Sequence, residues 1–333
     1  MANTPTAKFG APSKRGLLLG LLLAVFGGAT MPLQSRINGA LGQEMGSPVG
    51  AALISFIGGL ALLILMCLLV APYRKAALKI VPVLHERRFP WWYLIAGAVG
   101  ASTIISQAVA VPLVGVALFT VCLVTGQTIG SLLVDRVGFA LGVRRRISPL
   151  RLLGAILTIA GVLWAASPRL SVDSSVLQLL PALLFAIFIG TAMGFQAASN
   201  GVQAREFGSP VAATLVNFTV GTIMLAVSFA LLRPAELGLA DLPGQWWYYI
   251  GGIFGVCFVV ISSLLVRYLG VLLTGLGMIG GQLVGSLLLD MFFPSAGTLL
   301  HPATVAGTIL TLLAIALASI SGSRSGPRRP TTS

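Results

Sequence analysis

Ten apolar runs follow one another along the chain, and each is long enough to cross a membrane as a helix. A spanning helix needs roughly 20 apolar residues, because each residue adds only about 1.5 Å along the axis. Only 9% of the residues are charged, against about 25% in a soluble domain, so a soluble fold is excluded. The sequence therefore predicts an all-α polytopic membrane protein with ten transmembrane helices. The predicted spans are 17–36, 48–71, 91–111, 114–134 and 149–167, then 177–197, 210–232, 247–266, 270–290 and 303–320.

The basic residues between the spans predict how the chain is oriented. If the N-terminus is cytoplasmic, 18 of the 21 Lys and Arg residues fall on the cytoplasmic side, and only Arg36, Arg169 and Arg233 fall outside. Loops that remain in the cytoplasm are enriched in Lys and Arg, so we expect both termini to be cytoplasmic. The net charge of +13 is explained by this topology, and a nucleic-acid partner is not expected.

The two halves of the sequence are copies of each other. Segment 34–48 recurs as 196–210, with its Gln, Asn, Gly, Glu, Ser and Pro residues offset by 162 positions. Segment 126–135 recurs as 281–290, with seven of ten residues identical. Each copy holds five predicted helices, an odd number, so the second copy enters the membrane from the opposite side and the repeat is inverted. The predicted organisation is a cytoplasmic tail at 1–16, a first repeat at 17–170, a second repeat at 171–321 and a cytoplasmic tail at 322–333.

These repeated blocks give the chain a family resemblance. The block with Gln34, Asn38, Gly39 and a later Gly-Ser-Pro, followed by Gly-Gln-x-x-Gly-Ser, resembles the YdcZ-type branch of the drug/metabolite transporter superfamily. The resemblance covers nearly the whole chain outside its two tails. It implies a bacterial inner-membrane transporter of small organic compounds, an exporter, built as two fused five-helix halves.

The block at 126–135 and its copy contain the first set of candidate site residues. On a helix, residues four apart share one face, so each copy presents a Gln near the bilayer centre, then a Ser, then an Asp at one end. One interpretation is a transport pathway; the alternative is helix packing through the GxxxG glycines, with the aspartates at water-exposed helix ends. The predicted substrate-binding residues here are Gln127, Gln282, Ser131 and Ser286, and the predicted mouth or gate residues are Asp135 and Asp290.

The block at 34–48 and its copy contain the second set. We expect Gln34 with Asn38, and Gln196 with Asn200, to close the first and sixth helices and to bind substrate. Ser and Pro then suit the N-cap and first position of the next helix. The eleven-residue connection between them either dips into the membrane and contributes amide ligands or forms a capped turn. Further polar residues that line a cavity or bond helices together are Ser55, Ser102, Thr103, Ser106, Gln107, Asn217, Thr219 and Thr222.

The predicted function is secondary transport by alternating access, and a non-transporting membrane scaffold is the alternative. An enzyme is not expected, because His85 and His301 are predicted on opposite sides and the three cysteines match no redox or metal spacing. With no acidic residue predicted near the bilayer centre, we expect a neutral, zwitterionic or amphipathic substrate. The expected partners are this small molecule and the lipid bilayer. No metal or organic cofactor is expected, and the sequence does not indicate an oligomeric state.

Overall fold

A computed structural model describes residues 14–139, 148–170, 176–232, 242–269, 271–294 and 301–322, and the described chain is helical with no β-strand. Both predicted tails lie almost wholly outside these residues. Short 3-10 turns at Trp91–Ile95 and Trp246–Ile250 precede α5 and α9. The helices are α1 (Lys14–Glu44), α2 (Pro48–Leu69), α3 (Ala71–Ala77), α4 (Ile80–His85), α5 (Ala96–Val137), α6 (Pro149–Leu170), α7 (Val176–Phe207), α8 (Pro210–Leu232), α9 (Gly251–Leu269), α10 (Val271–Phe292) and α11 (Pro302–Gly322).

The apolar helical segment Trp91–Val137 contains two membrane crossings. Its 47 residues would extend about 70 Å as one straight helix, more than twice the roughly 30 Å of a bilayer core. The backbone leaves helical geometry at Gly115, with φ 78° and ψ 166°, which a residue with a side chain rarely adopts. Gly115 therefore divides α5 into a first arm (96–114) and a second arm (116–137).

Contacts along α5 show that its two arms run in opposite directions. The first arm begins beside Asn217 of α8 and ends beside Gly39 of α1. The second arm passes Gly194 of α7 and ends at Val137. We call the end of the molecule at which α1 begins the near face and the opposite end the far face. The first arm runs from near to far, and the second arm returns.

The described residues account for the ten predicted crossings. Six helical segments are long and apolar enough to span a membrane, and one of them is the divided α5. Three shorter apolar helices supply the rest, at Leu152–Ser167, Trp246–Ser262 and Pro302–Leu317. The predicted fold class, an all-helical polytopic membrane protein, is confirmed.

The first helix of each repeat is longer than predicted, and this corrects one expectation. Helix α1 continues to Glu44 and α7 continues to Phe207, so Gln34, Asn38, Gln196 and Asn200 lie within helices and do not close them. The connection to α2 is three residues long, not eleven, and a loop that dips into the membrane is ruled out there. The Ser and Pro signals that follow are confirmed: the Ser47 hydroxyl accepts the amide of Gly50 at 3.1 Å, and the Ser209 hydroxyl accepts that of Val211 at 3.2 Å.

The second arm of α5 lies at the centre of the fold. Every residue from 114 to 126 is buried, and most of the apolar ones form a cluster with residues of α1, α6, α7, α10 and α11. Glycines allow the close approach: Gly126 and Gly130 pack on the α7 backbone at Gly190 and Gly194. The repeat-related Gly281 and Gly285 pack on α1. The GxxxG pairs are therefore packing surfaces between helices of the two repeats.

Candidate functional site

Polar side chains from three helices meet in the far half of the molecule, and we call Gln34, Asn38, Ser55 and Gln107 the far cluster. All four are buried, with at most 3% of each residue exposed. The Asn38 amide nitrogen donates to the Gln107 amide oxygen at 2.7 Å. Among the described residues, Asn38 Oδ1, Gln107 Nε2 and Ser55 Oγ have no hydrogen-bond partner. The far cluster thus offers both acceptors and donors to a bound molecule.

Helix α9 of the second repeat covers the far cluster with its backbone. A Cβ atom at Gly251 would lie 2.6 Å from Asn38 Oδ1 and 3.2 Å from Ser55 Oγ. A Cβ atom at Gly255 would lie 2.6 Å from Gln34 Nε2. The two distances of 2.6 Å are shorter than Cβ contacts in proteins, so glycine at 251 and 255 lets α9 approach without displacing Asn38 or Gln34. The far cluster therefore lies at the contact between the two repeats.

The repeat-related residues form a matching near cluster, which we define as Gln196, Asn200 and Asn217. Asn217 Nδ2 donates to Asn200 Oδ1 at 2.6 Å and to the carbonyl of Ala213 at 3.0 Å. The first arm of α5 covers it as α9 covers the far cluster, since a Cβ atom at Gly100 would lie 2.9 Å from Gln196 Nε2. Each cluster therefore packs against the third helix of the opposite repeat.

The two clusters differ in how far they are exposed. Gln34 and Asn38 of the far cluster are buried, whereas Gln196 and Asn200 of the near cluster are only half-buried. The same difference separates the fourth helices of the repeats. All residues at 114–126 are buried, but six of the ten with described exposure within 269–281 are half-buried. Among the described residues, the packing is therefore tighter around the far cluster than around the near cluster.

A cleft at the near face lies between the two repeats. It has a volume of about 170 Å³ and separates Pro72 and Tyr73 of the first repeat from the start of α8 and the end of α9. The cleft is consistent with the looser packing of the near cluster on the same side.

The predicted end residues Asp135 and Asp290 lie at opposite faces, near the last residues of α5 and α10. Asp290 is not the water-exposed end residue that the packing interpretation expects. It is only 6% exposed, and its carboxylate accepts the amides of Val116 at 3.0 Å and Ala117 at 2.7 Å. Asp135 is half-buried. Asp290 therefore joins α10 to the start of the second arm of α5 at the far face.

The predicted central pair, Gln127 and Gln282, is placed in different surroundings. Gln127 is half-buried, and its amide nitrogen lies 3.5 Å from the sulfur of Met193 on α7. Gln282 is 1% exposed, and its Oε1 has no partner among the described residues. No hydrogen bond between described atoms joins the two. The neighbouring serines bond their own helices: Ser131 to the carbonyl of Gln127, and Ser286 to that of Leu283.

Sequence reasoning named the members of the two clusters but did not bring them together. Ser55, Gln107 and Asn217 were expected only as cavity residues or helix bonds. One sequence signal could have linked them: Ser55 and Asn217 are 162 residues apart, as are Asn38 and Asn200. Both pairs therefore occupy equivalent positions in the two repeats. The spacing of residues along the sequence could not predict that Asp290 accepts the amides of Val116 and Ala117, because these hydrogen bonds join residues 174 and 173 positions apart.

Comparisons with known proteins agree with this architecture. A crystal structure of a protein 18% identical in sequence superimposes with a TM-score of 0.56, covering 94% of this chain and 99% of that chain; at this identity the likeness shows a shared fold. The comparison with curated proteins gives no match. The family described as "Putative inner membrane exporter, YdcZ" matches twice, at residues 19–164 and again at 181–317. The chain, with its two matched halves, belongs to this family of inner membrane exporters.

Proposed function

We propose that this protein is a secondary transporter that exports a small organic molecule by alternating access, with its near face in the cytoplasm. Family membership supports a multi-pass inner-membrane exporter and not an enzyme. The observation that carries the finer proposal is the unequal exposure of the two repeat-related clusters. In an inverted repeat, the two halves exchange conformations when access changes sides. The burial of Gln34 and Asn38 at the far face, with Gln196 and Asn200 only half-buried at the near face, fits one of the two exchanged states.

The far cluster supports recognition of a substrate through hydrogen bonds. An unpaired buried polar group costs about 1–3 kcal/mol, and the cluster holds three such atoms on Asn38, Gln107 and Ser55. A molecule with both hydroxyl or amide donors and acceptors would satisfy them. Because the cluster has no charged member, a neutral or zwitterionic metabolite or an amphipathic compound fits best. The proposed substrate-binding set also keeps Gln34, Gln196, Asn200, Gln127, Gln282, Ser131 and Ser286.

The substrate class can be tested on purified protein. A panel of neutral, zwitterionic and charged metabolites is screened for ligand-dependent thermal stabilisation in detergent, and each hit is then assayed for flux in proteoliposomes. We expect hits among neutral or zwitterionic compounds. Hits confined to compounds with a net charge would contradict the proposed chemistry. Stabilisation without flux for every hit would favour the alternative, a non-transporting scaffold.

Two matched variants decide which amides bind the substrate. Gln107→Leu removes an amide of the far cluster, whereas Gln127→Leu removes the amide that contacts Met193. If the far cluster binds the substrate, we expect Gln107→Leu to weaken binding by roughly tenfold, since a lost buried hydrogen bond costs about 1–2 kcal/mol. Gln127→Leu, which changes a residue of the proposed set that lies outside the far cluster, should then weaken binding much less than Gln107→Leu. The reverse outcome would move the site to the centre of the second arm of α5.

A further inference from the structure

The segment between α2 and α5 concentrates positive charge at the near face. Residues 70–90 include five Lys or Arg side chains and one acidic side chain, so the segment has a net charge of +4 (five minus one). All five basic side chains are exposed: Arg74, Lys75, Lys79, Arg87 and Arg88. In the part of the chain that the structure describes, Arg88 pairs with Glu86 at 2.7 Å, and the other four form no ion pair.

The repeat does not account for this charge. The equivalent segment of the second repeat, residues 233–245, contains Arg233, Glu236 and Asp241 and has a net charge of −1 (one minus two). The two segments are equivalent because each is followed by a Trp-Trp-Tyr sequence in a 3-10 turn. The positive charge is therefore a property of the first segment and not of the repeated fold.

The opposite side of the basic segment packs on the second repeat. Ala76, Val83 and Phe89 are buried in one cluster with Phe207 at the end of α7 and with the start of α8. The basic side chains are thus carried on a packed surface of two short helices, α3 and α4, and not only on a connecting loop.

Exposed apolar side chains in and next to this segment indicate that it faces a membrane. Val81 of α4 and Trp91 of the following turn are 73% and 76% exposed. Tryptophan is enriched at the level of the lipid headgroups, and helices that lie in the membrane interface combine basic residues with exposed apolar ones. The segment therefore has the composition of one that lies along the headgroup layer.

We infer that the α3–α4 segment is a binding surface for an anionic phospholipid. The headgroup phosphate binds Arg74, Lys75 and Lys79, because juxtamembrane basic residues attract anionic lipids, and Val81 and Trp91 meet the boundary with the acyl chains. This goes beyond the proposed function and holds whether or not the protein transports a substrate.

The place of this surface in the fold gives the bound lipid a structural role. Lys79 reaches the turn between α7 and α8, since a Cβ atom at Gly208 would lie 3.8 Å from Lys79 Nζ. Pro72 and Tyr73 of the same segment line the near cleft opposite the start of α8. A lipid bound here therefore stabilises the contact between the two repeats at the near face.

Lipid titration of the full-length protein in detergent tests this without any substrate. Binding is measured by native mass spectrometry and stability by the melting temperature, with phosphatidylglycerol as the anionic lipid and phosphatidylcholine as the zwitterionic one. We expect phosphatidylglycerol to bind more tightly and to raise the melting temperature more. Each basic residue near an anionic surface contributes roughly a factor of five to binding. The triple variant Arg74→Gln, Lys75→Gln, Lys79→Gln should therefore bind phosphatidylglycerol at least roughly tenfold more weakly and lose the stabilisation.

A matched variant separates a defined surface from net charge. Arg324→Gln, Arg328→Gln, Arg329→Gln removes the same charge from the C-terminal tail and should bind phosphatidylglycerol as the wild type does. Equal weakening in both triple variants, or equal binding of the two lipids by the wild type, would overturn the inference. Lys79→Gln alone should show a smaller loss in the same direction. Stabilisation by inorganic phosphate as large as that by phosphatidylglycerol would make this a general anion site and would also overturn the lipid assignment.

Discussion

At the scale of single residues, the hydrogen bond between Asn38 and Gln107 is the contact that organises the far cluster. It joins α1 to the first arm of α5 at 2.7 Å between two fully buried side chains. Hydrogen bonds between transmembrane helices contribute about 0.6 kcal/mol on average and up to about 1.7. We expect a coupling free energy near 1 kcal/mol in a double-mutant cycle of Asn38→Ala and Gln107→Ala, measured as the free energy of unfolding in detergent. A cycle of Asn38→Ala with Gln127→Ala should be additive within about 0.5 kcal/mol; equal coupling in both cycles would contradict the assigned geometry.

Gly39 and Gly201 occupy the same position in the two repeats and test whether the far face is packed more tightly than the near face. A Cβ atom at Gly39 would lie 2.9 Å from Val111, whereas one at Gly201 would meet no atom within 4 Å. Alanine is about 1 kcal/mol better than glycine within a helix, but crowding a packed core costs about 1–3 kcal/mol. We therefore expect Gly39→Ala to lower the melting temperature and Gly201→Ala to raise it. If both substitutions lower it equally, the near face is packed as tightly as the far face.

At the scale of helices, the glycines of the second arm of α5 set its distance from α7. A Cβ atom at Gly130 would press on the backbone of Thr191, whereas one at the repeat-related Gly285 would lie 3.1 Å from the Ala29 side chain. At Gly130 the α7 backbone itself would have to shift, whereas at Gly285 a movement of a few tenths of an ångström relieves the contact. We therefore expect Gly130→Ala to lower the free energy of unfolding by about 1–3 kcal/mol. Gly285→Ala should cost less than about 1 kcal/mol. Urea or SDS titration of both variants measures the difference, and equal losses would mean that α5 and α7 can separate.

The helices also show what the sequence could and could not predict. Apolar run length and the repeat predicted ten crossings, including the reversal between 111 and 114, because hydrocarbon thickness limits every span. They missed the true ends of α1 and α7, since the polar residues Gln34, Asn38, Gln196 and Asn200 looked like helix ends. Instead, Asn38 and Asn200 bond to polar side chains of neighbouring helices. The contact of Asp290 with α5 could not be predicted, because it depends on how two distant helices are placed.

At the scale of the whole molecule, one sequence pattern occurs twice in two different environments. Ser47 and Ser209 cap matching helices, and 3-10 turns precede α5 and α9 alike. Yet two polar or charged pairs that relate the repeats are more buried at the far face: Asn38 is buried and Asn200 half-buried, and Asp290 is buried and Asp135 half-buried. Local structure is thus shared between the repeats, and the difference lies in how their helices pack. Because the repeats share this local structure and differ in packing, each repeat can adopt the packing of the other. An inverted repeat can therefore exist in two exchanged states.

The orientation of the molecule gives the last prediction. The near face carries the basic residues around α3 and α4, among them Arg74, Lys75 and Lys79, and such residues are retained on the cytoplasmic side. Single cysteines are placed at Leu78 on the near face and at Phe293 on the far face, which are 73% and 65% exposed. The background replaces the three free cysteines, Cys67, Cys122 and Cys257, with alanine.

A membrane-impermeant maleimide added to intact cells should label the cysteine at position 293 and leave the one at position 78 unlabelled. Permeabilised cells should show both labelled, and the cysteine-free background should show neither. Each repeat has five crossings, so the two positions must lie on opposite sides if the repeat is inverted. Labelling of both in intact cells would therefore reject the inverted repeat. Labelling of position 78 alone would keep the fold and place the near face outside, so that the half-buried near cluster would be open to the exterior and the state described here would be outward-facing.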